Sequence, residues 1–313
     1  MNKIKKLFSI VIPAMNEQEV LPIIVPRLLG VIESLNVRYD VEIIFIDDGS
    51  KDKTLHILKE YSKKYSNFRV ISFSRNFGHQ LAITAGMKYA SGDYIGIIDA
   101  DLQDPPELFD EMLKYIEDGN DIVYGKRISR SGESFFKKIT AKIFYRLLNL
   151  MSDTPLPLDT GDFRIISRDV VNQLNEMPEK HRYVRGMIPW IGYKSYAFEY
   201  MRKERVAGDT KYPLKKMISF AANAILSFSS KPLDIAFNIG LFSIMASLLL
   251  FFYLLYLKLF SFVVPGITVI IAIVILLSGI QILLIGLVGR YIAKIFEEVK
   301  QRPLYIIKET INF

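Results

Sequence analysis

Tyr94-Ile95-Gly96-Ile97-Ile98-Asp99-Ala100-Asp101-Leu102-Gln103-Asp104-Pro105-Pro106 sets a short apolar run against an acidic turn and a helix-starting proline pair. Such a run is what a strand covered on both faces looks like. Residues 8–12, 41–46, 69–73 and 122–124 are runs of the same kind, rich in Ile, Val and aromatic residues. Between the runs, residues 20–35, 53–64, 79–89 and 107–116 carry helical spacing. Strand and helix in repeated alternation predict an α/β fold with a mostly parallel sheet and right-handed crossovers. In such sheets ligands bind beyond the carboxyl ends of the strands, so chemistry is to be sought there.

Acidic groups gather at those ends. Pro13-Ala14-Met15-Asn16-Glu17 follows the first run, Asp47-Asp48-Gly49-Ser50 the second, and Asp99-Ala100-Asp101-Leu102-Gln103-Asp104 the fourth. An Asp-x-Asp at a strand end presents two carboxylates to one point, and hard oxygen donors of that kind suit Mg2+ or Mn2+. Asp at a strand end is also a common helix cap, and taken alone the pair favours that plainer role. Asp48-Gly49-Ser50 alone is ordinary turn chemistry. Neither G-x-G-x-x-G nor G-x-x-x-x-G-K-[ST] occurs, which removes the usual dinucleotide and P-loop fingerprints.

The chain has 313 residues, 50% of them hydrophobic, and no cysteine. Disorder, a disulfide-stapled module and cysteine-based zinc sites are therefore excluded. Histidines 56, 79 and 181 are too few and scattered for a His-rich metal site, and His79 and His181 are read as structural. The apolar excess lies late in the chain: residues 235–257 and 259–289 are uncharged, with only Lys258 between them. Each run exceeds the roughly 20 residues that span a bilayer. Pro265 and Gly266 mark a turn, giving a hairpin whose flanks carry Lys211, Lys215, Lys216 and Lys231 on one side and Arg290, Lys294, Lys300 and Arg302 on the other. Both ends are accordingly expected on the cytoplasmic side. No signal peptide is expected, because Pro13, Asn16 and Glu17 interrupt the first apolar stretch. The expected organisation is a cytosolic domain over 1–212, an amphipathic juxtamembrane helix over 213–232, two transmembrane helices over 233–290 and a cytosolic tail over 291–313.

In order and at these strand ends, the segments from Val11 to Glu17, Asp47 to Ser50 and Asp99 to Pro106, with Gly161-Asp162-Phe163-Arg164, resemble the inverting family 2 glycosyltransferases of GT-A fold. More narrowly they resemble the polyprenyl-phosphate glycosyltransferases, the group of dolichyl-phosphate mannose synthase, and with two spans the bactoprenol glucosyltransferase-like members. The resemblance covers almost the whole chain. It implies that Pro13, Met15 and Glu17 hold the nucleoside of a nucleotide sugar and that Asp48 reads the base. Asp99, Ala100, Asp101 and Gln103 match the segment that binds the sugar diphosphate, with Asp99, Asp101 and Gln103 on the metal, Mg2+ or Mn2+. Gly161, Asp162 and Arg164 match the segment beside the transferred sugar. Arg205, Gly208, Thr210, Lys211 and Tyr212 resemble the family's Arg-x-x-Gly-x-Ser-Lys-Tyr loop near the diphosphate, with Thr210 where Ser is usual. The Gln-x-x-Arg-Trp motif of the processive synthases does not occur.

The charge map points to an anionic lipid independently. Residues 126–146 carry a balance of +6 and residues 202–232 one of +5, against +7 for the whole chain. Phe136, Ile139, Ile143, Leu147 and Leu150 recur at helical spacing with Lys138, Lys142 and Arg146 off the stripe, as on a helix lying in a headgroup plane. A soluble helix with a solvated basic face is the alternative. Nucleic acid is not expected as a partner, because both patches adjoin the membrane segments.

The expected reaction is inverting transfer of a sugar to polyprenyl (undecaprenyl) phosphate at the cytoplasmic membrane face. UDP-glucose is the best donor by resemblance, with GlcNAc, galactose, a modified pentose or GDP-mannose open. Arg127, Lys137 and Lys138 are chosen to hold the acceptor phosphate. Arg205 and Lys211, with the metal on Asp99 and Asp101, would stabilise the leaving diphosphate. Asp162 is the candidate base, yet a phosphate monoester with a second pKa of about 6 hardly needs one, so Asp162 is equally an orienting group. A non-catalytic, membrane-tethered nucleotide-sugar binding protein is the rival class. Ala236-x-x-x-Gly240 and Gly289-x-x-x-Ala293 permit close helix contacts in a homo-oligomer.

Overall fold

The computed structural model describes residues 5–128, 160–201, 231–260 and 266–313. In chain order its elements are β1 (Lys6–Ala14), α1 (Leu21–Leu35), β2 (Tyr39–Asp47), α2 (Thr54–Lys64), β3 (Phe68–Phe73), α3 (His79–Tyr89) and β4 (Tyr94–Ile97). A 3-10 turn (Pro106–Leu108), α4 (Phe109–Glu117), β5 (Ile122–Arg127), β6 (Thr160–Ser167), α5 (Arg168–Glu176), α6 (Val184–Ile191) and β7 (Ser195–Tyr200) follow. Two long helices, α7 (Lys231–Leu259) and α8 (Ile267–Val299), and a last strand, β8 (Ile307–Ile311), complete it.

Among the described residues, eight strands form one sheet in the order β7-β5-β6-β4-β1-β2-β3-β8. The centre is parallel, β4 and β2 flanking β1 and β3 pairing with β2. That is the expected mostly parallel α/β fold, and the sequence explains it: Phe8, Ile10, Val11 and Ile12 of β1 and Ile43 to Ile46 of β2 are all 0% exposed, as residues covered by helices on both faces must be. Strand β6 lies antiparallel between β4 and β5. An antiparallel neighbour, unlike a parallel one, needs no crossover helix. Across this junction Phe109 packs against Phe8 and Phe163, with ring centroids 5.4 and 5.1 Å apart.

Among the described residues, contacts divide the chain into two units, one of residues 5–128, 160–201 and 302–313, the other of residues 231–260 and 266–301. The described part of the second is α7 and α8, of 29 and 33 residues. Both are long and apolar enough to cross a membrane. Phe237, Phe242, Leu249, Ile282 and Ile285 are each more than 70% exposed, which water would not favour.

Within residues 291–313, expected as a cytosolic tail, two stretches form regular structure. Helix α8 runs on to Val299, and β8 pairs antiparallel with β3 at the sheet edge. Asn312 Nδ2 donates to the carbonyls of Ser62 and Phe68 at 2.7 and 2.8 Å. Glu309 pairs with Lys59 at 2.7 Å, and Tyr305 stacks on Phe73 with centroids 4.9 Å apart. Ile307-Lys308-Glu309-Thr310-Ile311 is short and apolar only at its two ends, too weak a pattern to separate a strand from a tail.

Candidate active site

The carboxyl ends of β1 and β2 are tied to each other by the motifs that follow them. Asn16 N donates to Ser50 Oγ at 3.0 Å, Lys51 N to Asn16 Oδ1 at 2.8 Å, and Glu17 N to Thr54 Oγ1 at 2.8 Å. Asp48 is buried, and its carboxylate accepts from Phe77 N at 2.7 Å, Gly78 N at 3.0 Å and Asn76 Nδ2 at 2.9 Å. Burial pushes its pKa up against those donors. Gly49, at φ +67°, carries the turn; a Cβ there would stand 2.3 Å from the Arg75 carbonyl carbon, so only glycine lets the two loops touch. Asp48 thereby fixes the turn at 76–78 that delivers α3. Pro13 is buried within β1, and Met15 is 38% exposed beside the Asn76 amide.

Helix α3 opens with His79, which sequence reading assigns to structure. The fold places it in the site. Its Nε2 lies 2.9 Å from Asp162 Oδ2 and 3.3 Å from Asp99 Oδ1, joining β6 to the end of β4. Burial lowers the imidazole pKa, but Asp99 and Asp162 outweigh it and raise it to about 9, so His79 is a cation at neutral pH. A histidine opening a helix just beyond a strand's carboxyl end is the signal that could have flagged it.

Asp162 is 1% exposed, and Arg185, from the first turn of α6, grips it through Nε to Oδ1 at 2.8 Å and Nη2 to Oδ2 at 2.6 Å. Burial pushes the Asp162 pKa up, yet Arg185 and His79 prevail and hold it well below the usual carboxylate range. Asp99 behaves in the opposite way: burial, with Asp162, Asp101 and Asp104 nearby, pushes it up to about 6 despite His79. Arg164 is buried behind the site, with Nη2 donating to Gly161 O at 2.7 Å.

His79, Asp99 and Asp162 offer ligand atoms that all lie within 4.8 Å of one another. Asp99 Oδ1 is buried without a hydrogen-bond partner. The two carboxylates are hard oxygen donors that fit a divalent cation such as Mg2+ or Mn2+, whereas the His79 imidazole could join them only in its neutral form, since an imidazolium has no lone pair to give. The expected ligands were Asp99, Asp101 and Gln103; Asp101 is not in this group, and its Oδ1 accepts from Gln103 N at 3.2 Å. Between them Leu102, buried, holds φ at +62°, a conformation a leucine adopts only under constraint from its surroundings.

Arg127, expected at the acceptor phosphate, is largely buried. Its Nη2 lies 3.7 Å from Asp104 Oδ2, Nε donates to the Tyr200 hydroxyl at 3.4 Å, and Tyr200 donates to Asp104 Oδ1. The Arg127 guanidinium fills the space beside Gly161, where a Cβ would stand 2.3 Å from Nη2 and displace it. Arg127 is thus wedged between the Asp99–Asp104 segment and β6. Lys137, Lys138, Arg205 and Lys211, and the amphipathic stretches around 136–150 and 217–228, lie outside the described residues.

The mostly parallel mixed sheet with carboxylates gathered at its strand ends is a GT-A-like α/β fold. Residues 9–174 match the family described as "Glycosyl transferase family 2". The chain belongs to that family. It is 47% identical to the uncharacterized glycosyltransferase YkcC of Bacillus subtilis (strain 168), over 97% of this chain and 94% of that one. To the prophage bactoprenol glucosyl transferase homolog of Escherichia coli (strain K12) it is 40% identical, over 96% and 98% of the two chains. Glucosyl-3-phosphoglycerate synthase from Mycobacterium tuberculosis, solved with Mn2+, uridine diphosphate and phosphoglyceric acid, is similar with 21% identity and a TM-score of 0.49, covering 71% of this chain and 76% of that one. The two apolar helices, set beside the bactoprenol-named relatives, mark the chain as membrane-associated.

Proposed function

We propose that this glycosyltransferase moves a sugar, with inversion, from a nucleotide sugar to polyprenyl phosphate at the cytoplasmic face of a bilayer, with UDP-glucose as donor and undecaprenyl phosphate as acceptor. One observation carries this reading. The bactoprenol glucosyl transferase homolog matches over 96% of the chain, so the similarity runs through both apolar helices as well as the catalytic domain. Helices α7 and α8 would cross the membrane as a hairpin with both chain ends cytoplasmic.

The roles we assign to this chain's residues are supported by the geometry above where the residues are described, and elsewhere by the motif resemblance. Met15, Glu17 and the turns held by Asp48 would seat the nucleoside. Asp99, with Asp101 and Gln103, would hold the divalent cation, which when bound neutralises charge on the diphosphate. Arg205 and Lys211 would add cationic groups to the leaving diphosphate. Asp162 is clamped as an anion and accepts from Arg185 and His79, an arrangement suited to orienting a sugar hydroxyl rather than to moving a proton. The acceptor supports this division, since a phosphate monoester with a second pKa of about 6 is already a competent nucleophile near neutral pH. Lys137 and Lys138 would receive that phosphate.

The test is transfer of radiolabelled sugar from a panel of UDP-sugars and GDP-mannose to undecaprenyl phosphate by the purified protein, read by thin-layer chromatography. A labelled lipid formed from UDP-glucose is expected. Labelling only from another donor would reassign the sugar, and nucleotide-sugar binding without transfer would leave a membrane-tethered binding protein.

A further inference from the structure

Arg185 has no place in the motifs that define the site, yet its guanidinium makes the closest pair of contacts in it. Val184 N donates to Gln80 Oε1 at 3.0 Å, which ties the start of α6 to α3 and sets the direction from which Arg185 approaches. Gln80 Nε2 lies 3.5 Å from Asp162 Oδ2 and Arg164 Nη2 3.7 Å from Oδ1, so with His79 and Arg185 Asp162 is surrounded by donors from three elements, α3, α6 and its own strand β6. The last torsion of an aspartate is broad when nothing constrains it. A guanidinium fork constrains it, because two parallel bonds fix both oxygens in one plane.

We propose that Arg185 is a positioning residue: its fork fixes the plane of the Asp162 carboxylate, so that Asp162 meets the reacting groups as an immobile acceptor. This rests on the sugar-transfer reading given above. Lysine cannot reproduce the effect, since it offers a point charge without the fork.

The test uses the full chain in detergent, with UDP-glucose and undecaprenyl phosphate varied separately. Arg185→Ala should lower kcat roughly a hundredfold while each KM stays within about threefold, as misorientation predicts. Arg185→Lys should recover little, and added guanidinium should restore part of the Ala variant's kcat but none of the Lys variant's. In an Asp162→Asn background, Arg185→Ala should cost less than about threefold more, because its partner is already gone. Fully additive losses, or a loss confined to KM, would overturn the proposal by placing Arg185 on a substrate. Should Arg185→Ala fail to fold, Arg185→Lys completes the same cycle. A wild-type protein that transferred no sugar from any donor would count against the function, not the clamp. The clamp would then be judged by thermal unfolding of the same variants, where coupled Tm losses support it and additive ones remove it.

Discussion

His79 Nε2 stands 3.3 Å from Asp99 Oδ1, and this contact joins the first residue of α3 to the first acidic residue after β4. The same nitrogen reaches Asp162 on β6, so one imidazole sets the spacing of two carboxylates that are 63 residues apart in sequence. Both acids are desolvated, and without the cation between them their repulsion would fall on the sheet itself. The site is therefore organised by groups that the family motifs do not contain.

His79→Ala should raise the Mn2+ concentration needed for half-maximal transfer by roughly tenfold or more, the usual consequence of losing the neighbour that orients a metal-binding carboxylate. Titration of activity with Mn2+ in metal-stripped protein checks this. An unchanged metal requirement would return His79 to a purely structural role.

Chelation should silence transfer, and dialysis into Mg2+ or Mn2+ should restore it. Asp99→Asn should abolish activity at every metal concentration, while its circular dichroism stays that of the parent. Transfer that persisted in excess EDTA would remove the metal from the mechanism.

The core and the main motifs are legible in the sequence because β1 to β4 are continuous apolar runs whose acidic ends fall together once the sheet is parallel. Strands β6 and β7 are harder. Thr160-Gly161-Asp162 opens β6 on polar residues, and β7 is an edge strand with three exposed residues in its first half and at Glu199. Arg185 and His79 escape notice for another reason. Their partner Asp162 lies 23 and 83 residues away, and apart from the place of His79 at a helix start nothing local announces contacts made by the packing of α3 and α6 on one strand end.

Topology should follow the basic flanks. In this cysteine-free chain, a cysteine at Ser261 should react with an impermeant thiol reagent in intact cells, and one at Ser66 should react only after lysis. The reverse pattern would invert the hairpin.

Lys137→Ala combined with Lys138→Ala should raise the KM for polyprenyl phosphate about ten- to a hundredfold, the worth of a lost charge-assisted contact, with the nucleotide-sugar KM nearly unchanged. A solvated basic face would leave both constants within about twofold. Kinetics with a short-chain acceptor separate these outcomes.

The last strand should matter to stability and little to chemistry. Truncation after Arg302 removes β8 with Tyr305, Glu309 and Asn312, exposing the backbone of β3 and the ring of Phe73. Unpaired strand edges and a bared aromatic are costly, so the apparent Tm should fall by about 5–15 °C. Asn312→Ala isolates part of this: it deletes two donors at 2.7 and 2.8 Å and leaves the Ser62 and Phe68 carbonyls to water, for a loss of about 1–2 kcal/mol. Neither change touches Asp99, Asp162 or Arg185. At a temperature well below both transitions, Asn312→Ala should therefore keep kcat and both KM values within about twofold of the parent, as for a site-remote stability variant. Differential scanning fluorimetry and steady-state kinetics on one preparation decide the matter. A truncated chain with an unaltered Tm would show that β8 is not a structural member of the sheet.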